Sequence, residues 1–363
     1  MNNYALGWSD AWDRHLEQHK TEKPEHLARI IARHKSVFPA LTESGERLNL
    51  YIPGKFLRGF SATTLSPAVG DWCGLGERFI DESNEPSAFI ETLLPRKTSI
   101  VRTAAGETSD EQILVANVDV LLIVSSVNRD LNINRLRRYL LLATQGGPHP
   151  IICLSKMDLL DDECLMALNE IEQAFPEVRR IYTSTISGAG IDELRSLLKE
   201  GSTAAFLGSS GVGKSTLINA LMNTTVQKTG DIRAVDQRGR HTTSGSELFF
   251  VPDGSIIIDT AGLRQIGVVG DEEALNQLMP TISELGKSCR FADCTHEAEP
   301  GCAVQSALSA GLLEQSEFDA YTQLGRELAY AQRKGNQRLE AEERKKWKQR
   351  TVNNRVRTME RKL

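Results

Sequence analysis

The chain has 363 residues, 40% of them hydrophobic and 25% charged, which is enough for two or three domains with cores of their own. A formal net charge of −5 excludes a uniformly basic nucleic-acid binder, and no apolar run approaches the length of a membrane span. Nothing like a secretory leader opens the chain and three of its six cysteines crowd between 289 and 302, so a disulfide framework stands as the weaker rival of a metal site and a cytoplasmic location is expected.

Residues 1–40 are polar and charged, with Trp8 and Trp12, and read as an N-terminal extension that is either flexible or helical. In residues 41–104, apolar and polar positions alternate from Leu48 to Val101 between turn signals at Pro53-Gly54 and Pro67 to Asp71. Short strands so spaced suggest a small barrel of the oligonucleotide-binding kind, although another five-stranded β domain would show the same pattern. Residues 105–270 read as an α/β domain. Val118 to Val124 is its first buried strand and Ile133 to Ala143 its first helix.

The strand Ile151 to Leu154 delivers Ser155-Lys156-Met157-Asp158 to its C-terminal end, where open α/β sheets bind their ligands. A carboxylate there accepts two hydrogen bonds from guanine N1 and N2, which adenine cannot offer. Asp158 is therefore the expected base selector, with the aliphatic stem of Lys156 lying along the base. Guanine-binding proteins usually carry Asn at the position of Ser155, where it braces the loop against the phosphate loop. After the strand Arg180 to Tyr182, Ser184-Thr185-Ile186 is expected to offer a backbone N–H to guanine O6.

Gly208-Ser209-Ser210-Gly211-Val212-Gly213-Lys214-Ser215 matches G-x-x-x-x-G-K-[ST] at every position, between a strand at Ala204 to Leu207 and a helix at Thr216 to Met222. Glycines let backbone N–H groups converge on phosphate oxygens, and the helix N-terminus adds partial positive charge. Lys214 is expected to reach the β- and γ-phosphates and Ser215 to ligate Mg²⁺, with Thr216 completing the nucleotide-binding run. Farther on, Ile256 to Ile258 ends in Asp259, a water-mediated Mg²⁺ ligand, and the backbone of Gly262 is placed to meet the γ-phosphate. One of Thr242 and Thr243 should ligate the metal through its hydroxyl. Leu263 stands where Ras-like enzymes carry the Gln that orients water, which an aliphatic side chain cannot do. His241, just before the threonines, is the candidate replacement, since an imidazole polarises water near neutral pH. The expected catalytic set is His241, Lys214 and Thr243.

The base-reading loop thus precedes the phosphate loop, although the cyclic order of the parts is intact. This is a circular permutation, and it attaches the flanking domains directly to the switch segments.

In residues 271–363, helical patterns at Glu272 to Leu285 and Leu312 to Tyr330 flank Cys289, Cys294, His296 and Cys302, spaced C-x₄-C-x-H-x₅-C. Three thiolates and one imidazole suit tetrahedral Zn²⁺, and four protein ligands make the site a structural staple. From Arg333 to Leu363 the chain is rich in Lys and Arg, with one aromatic, Trp347. Such a tail builds no core; it is a solvated helix or an arm on polyanion, and RNA is the expected partner.

With those residues read, the chain closely resembles the ribosome-small-subunit-dependent GTPase A family, also called RsgA or YjeQ. The resemblance rests on Val69-Gly70-Asp71-Trp72, the permuted order, Gly239-Arg240-His241-Thr242-Thr243, and the metal segment from Cys289 to Cys302. It implies an N-terminal all-β barrel like an oligonucleotide-binding fold, a central permuted P-loop GTPase and a C-terminal, mostly helical zinc domain. It further implies a GTP hydrolase, using Mg²⁺ with GTP and releasing GDP, that acts in late maturation of the small ribosomal subunit. The expected partners are that subunit and its rRNA; no membrane is expected, and the state should be monomeric. Ser155 for Asn, Thr185 for Ala and a longer loop at Phe56 to Ser66 depart from the family pattern. Two other readings stay open: an RNA-binding scaffold with a decayed GTPase, and a GTPase acting on another RNA or translation target.

Overall fold

A computed structural model describes residues 6–54, 66–103, 111–128, 131–222, 246–260, 270–297 and 299–333. The chain forms two compact units, residues 1–102 with 111–266, and residues 103–110 with 267–363.

The first unit opens with a closed five-stranded barrel of order β1-β2-β3-β5-β4: β1 Leu27–Ile30, β2 Phe38–Thr42, β3 Arg47–Tyr51, β4 Trp72–Ile80 and β5 Pro86–Leu93. Every neighbouring pair is antiparallel except β3 with β5. Period-two alternation turns Ile30, Phe38, Leu48, Leu50, Leu75 and Ile90 into its core. The β4–β5 turn is held by Asp81, whose carboxylate accepts from the Ser83 and Glu85 amides, Asn49, Tyr51 and Ser87.

One of the five strands, β1, and the first part of β2 come from the segment expected to precede the barrel, so the barrel begins at Leu27 rather than at 41. The reason is burial: β1 is covered on both faces, so it shows no alternation. The segment before it contains the helix Asp10–Gln18, which buries Trp12 and Leu16. Trp12 stacks on Trp8 at 5.4 Å, and Trp8 meets Trp72 edge-on at 5.0 Å, fixing the helix to the barrel.

The nucleotide domain is a six-stranded sheet of order β10-β9-β8-β11-β13-β12. After β6 Ser99–Thr103 and β7 Glu111–Ala116, which form a separate two-stranded sheet, its strands are β8 Val120–Ser126, β9 His149–Ser155, β10 Arg180–Tyr182, β11 Thr203–Leu207, β12 Glu247–Phe250 and β13 Ile256–Asp259. All pairs are parallel except β12 with β13. Central strands read as continuous apolar runs because helices cover both faces; β11 is buried along its whole length. The helix Ile133–Gly146 is capped by the Asn132 side chain, which accepts from the Arg135 amide, and stopped by Gly147 at φ 87°.

Barrel and sheet are joined by hydrogen bonds. The Leu248 amide of β12 donates to Ile31 O at 2.8 Å, and Arg29 of β1, 1% exposed, donates to Leu6 O, Asn117 O and the Thr203 hydroxyl of β11.

In the second unit the expected helix from Glu272 to Leu285 is two helices, Glu272–Leu278 and Pro280–Gly286. Pro280 has no N–H to continue the first ladder and is suited to open the second. Ala303–Ser309 and a helix over residues 315–333 follow.

Candidate functional site

β11 runs into Gly208, and the helix Lys214–Met222 leaves the loop. A Cβ on Gly208 would lie 2.4 Å from Val124 O of β8, so no other residue fits beside that strand. Gly213 has φ 100°, a left-handed conformation that turns the loop into its helix. Lys214 is 7% exposed, and its Nζ donates to Gly208 O at 2.8 Å and Ser209 O at 3.0 Å. The ammonium therefore sits inside the loop that phosphate oxygens would enter. Ser209 and the helix residues Ser215 and Thr216 are half-buried, whereas Ser210 and Gly211 are exposed.

The base-reading loop leaves β9, two strands from β11. Lys156 takes φ 61° and its Nζ donates to Gly211 O at 2.7 Å, laying its stem against the phosphate loop. The Ser155 hydroxyl, 3% exposed, lies 2.5 Å from Val212 O and 3.3 Å from Ser125 O. Asp158 is exposed, and its Oδ1 accepts from the Ser184 hydroxyl at 2.5 Å, which ties the loops after β9 and β10 together. Ser184 spends its own amide on Ala189 O at 3.0 Å, so within Ser184-Thr185-Ile186 the amides able to turn to a guanine O6 are those of Thr185 and Ile186. Sequence reasoning missed the residues at the end of β8 and just beyond it: Ser125 O lies near Ser155, and the Val127 amide donates to Ser155 O at 2.8 Å. No motif marks them.

Asp259 ends β13, which pairs in parallel with β11, so Asp259 and the phosphate loop leave the same edge of the sheet. The Thr260 hydroxyl donates to Phe206 O at 2.6 Å and locks the two strand ends together. A carboxylate, the Ser215 hydroxyl and nucleotide phosphates form an oxygen donor set suited to Mg²⁺. His241, Thr242, Thr243, Gly262 and Leu263, like the tail beyond residue 333 and the loop 56–65, lie outside the described residues.

In the second unit the side chains of Cys289, Cys294, His296 and Cys302 converge, with ligand atoms within 4.8 Å of one another. His296 Nδ1 is 3.5 Å from both the Cys289 and Cys302 sulfurs, which are 3.9 Å apart. A zinc–sulfur bond of about 2.3 Å gives tetrahedral edges of about 3.8 Å, so these separations fit a ZnS₃N centre. Local structure sets the ligands. His296 has φ 62°, its carbonyl accepts from Gln305 Nε2, and the Gln305 amide donates to the Cys302 sulfur.

The RsgA GTPase family model matches residues 93–269. An ABC transporter model also matches, over residues 191–352; that span carries the phosphate loop common to P-loop NTPases, and no described helix is long and apolar enough to cross a membrane. A "Small ribosomal subunit biogenesis GTPase RsgA" from Methanosarcina acetivorans is 37% identical over 97% of this chain and 92% of its own length. A Listeria innocua relative, "Small ribosomal subunit biogenesis GTPase RsgA 1", is 39% identical over 94% of each. The crystal structure of YjeQ from Thermotoga maritima superposes with a TM-score of 0.58 at 27% identity, covering 84% of this chain and 98% of that one. The structure of YloQ, a circularly permuted GTPase, shares the fold with a TM-score of 0.56 at 24% identity, covering 86% of this chain and 96% of that one. Identity at this level over almost the full length of both relatives, on a sheet whose base loop precedes its phosphate loop, makes this chain a member of the RsgA family of circularly permuted GTPases.

Proposed function

We propose that this chain binds GTP with Mg²⁺, docks on the small ribosomal subunit late in its maturation, and hydrolyses the nucleotide to GDP and phosphate when the subunit completes its site. The observation that carries the nucleotide half is the direct fastening of base loop to phosphate loop, Ser155 to Val212 O at 2.5 Å and Lys156 to Gly211 O at 2.7 Å. A base gripped by Asp158 then fixes where the phosphates lie relative to Lys214 and Ser215. The subunit half is supported by the names of the relatives.

In this reading Asp158 selects guanine, Lys156 supports the base, and Thr185 and Ile186 face its O6. Gly208 to Thr216 cradle the phosphates, Ser215, Asp259 and Thr243 or Thr242 hold Mg²⁺, and Gly262 meets the γ-phosphate. His241 orients the attacking water in place of a glutamine. Cys289, Cys294, His296 and Cys302 hold a structural zinc, and the barrel and basic tail contact rRNA. The protein acts as a cytoplasmic monomer, releasing the subunit after hydrolysis.

The test is GTP turnover with purified small subunits, large subunits and no ribosomes, with ATP as the control nucleotide. Small subunits alone should accelerate GTP hydrolysis, and His241→Ala should lower the stimulated rate by about 10²-fold or more, the usual worth of a positioned acid–base group. A stimulated rate unchanged by His241→Ala removes that residue from the mechanism; equal stimulation by both subunits removes the assignment to the small one.

A further inference from the structure

Five large apolar side chains stand exposed around the loops that follow β9 and β10: Leu159 (54%), Leu160 (39%), Leu165 (47%), Met166 (64%) and Ile186 (83%). Leu159, Leu160 and Ile186 belong to one neighbourhood, and Leu165 and Met166 stand on the helix that follows Leu160 in the chain. Leu159 and Leu160 follow Asp158, and Ile186 lies two residues past Ser184, whose hydroxyl bonds Asp158; the Met157 amide donates to Thr183 O at 3.1 Å across the same gap. Leu165 and Met166 lie on the helix Asp162–Ala174, which turns Cys164, Leu168 and Ile171 into the core and so presents these two outward. Isolated exposed apolar residues are ordinary, but a gathering of this size beside a ligand loop marks an interaction surface.

The charges around the patch specify its partner. No Lys or Arg occurs between Met157 and Val178. On the helix, residues three and four apart are neighbours, so Met166 is bracketed by Asp162, Glu163 and Glu170, and Leu165 by Asp161 and Asp162. A polyphosphate backbone is repelled by such a rim, whereas Lys or Arg side chains find a carboxylate on each flank of the apolar ridge.

We infer that this face of the nucleotide domain is a docking surface for a protein segment that is amphipathic and rich in Lys and Arg. The segment lays an apolar side on Leu165 and Met166 and its cations against Glu163 and Glu170. The inference goes beyond the GTPase reading and does not rest on it, because none of these four residues belongs to the nucleotide site.

The test uses the full-length chain and a fluorescent helical peptide with Leu on one face and Lys on the other, titrated by anisotropy. L165S/M166S should weaken binding by about tenfold or more, in keeping with the loss of two buried apolar contacts. E163Q/E170Q should weaken it and flatten its dependence on salt. Each substituted side chain is on the surface, and unchanged GDP binding shows that the variants are folded. Four results would overturn the inference: equal affinity of L165S/M166S and the parent, preference for a matched Leu/Glu peptide, polyuridine binding that L165S/M166S abolishes, or a dimer in sedimentation velocity that L165S/M166S dissolves. The third would make the face an RNA surface and the fourth a contact between copies of this chain.

Discussion

Ser155 shows how a shorter side chain keeps a longer one's task. A serine hydroxyl has one proton to give, and here it is 2.5 Å from Val212 O and 3.3 Å from Ser125 O, so the phosphate loop receives the closer contact. The reach of an Asn is replaced by proximity: a Cβ on Gly213 would come within 3.7 Å of the Ser155 hydroxyl. Ser155→Ala leaves the Val212 carbonyl without this donor in a buried place, a loss of about 1–3 kcal/mol. Because the bond joins base loop to phosphate loop, we expect GDP and GTP to weaken together, by about tenfold, with guanine still preferred to adenine through Asp158. Titration with fluorescent GDP, GTP and ADP checks this. Unchanged guanine-nucleotide affinity would show that Lys156 alone holds the two loops together.

At the scale of elements, β1 carries the joint between barrel and sheet. Arg29 lies in the middle of this four-residue strand and its guanidinium donates to Leu6 O, Gly70 O, Asn117 O and the Thr203 hydroxyl. Burial pushes its pKa down to about 10, opposed by the carboxylates of Asp119 and Asp71, so the group remains charged at neutral pH. Arg29→Met strips several buried carbonyls of their donor and should destabilise the first unit by about 3 kcal/mol or more, whereas Thr203→Val removes one partner and should cost about 1 kcal/mol. Urea unfolding of both variants measures the difference; equal small losses would mean that water replaces the guanidinium. The same residue explains what the sequence could and could not reveal. β13 was legible to the residue, because an apolar run ending at a motif has one interpretation. β1 was not, since a strand covered on both faces with an arginine at its centre looks like any charged segment. The split at Pro280 was legible in principle, as proline both ends and begins helices, but the apolar spacing runs through it unbroken. The convergence of Cys289, Cys294, His296 and Cys302 was legible because metal chemistry restricts residue types and spacing more tightly than packing does. The support of Ser155 by backbone groups at the end of β8 and just beyond it was invisible, since backbone amides and carbonyls leave no trace in side-chain identity.

Across the whole molecule, the chain forms two compact units with very different means of support. The first has a barrel core and a continuous sheet core, each built from many large apolar side chains. The described part of the second has three seven-residue helices and one over residues 315–333, and it gathers only a modest set of large buried side chains, among them Leu275, Met279, Ile282, Leu324 and Leu328. Small domains of that kind need a staple, and the four converging ligands supply the place for one. Because the ligands must be deprotonated and gathered to bind metal, the free energy of zinc binding is folding free energy for the segment they close. Removal of zinc by a chelator with a thiol-blocking reagent should therefore release about one ion per chain, as expected for a single four-ligand centre, and lower the helical circular dichroism. GDP affinity should survive, because the Ser155, Lys156 and Lys214 contacts all lie in the other unit. Cys302→Ser should reproduce the effect, as Cys302 is one of the four converging groups and also caps the helix Ala303–Ser309. Loss of GDP binding in step with zinc release would mean instead that the nucleotide sheet depends on the metal-bearing unit for its own folding.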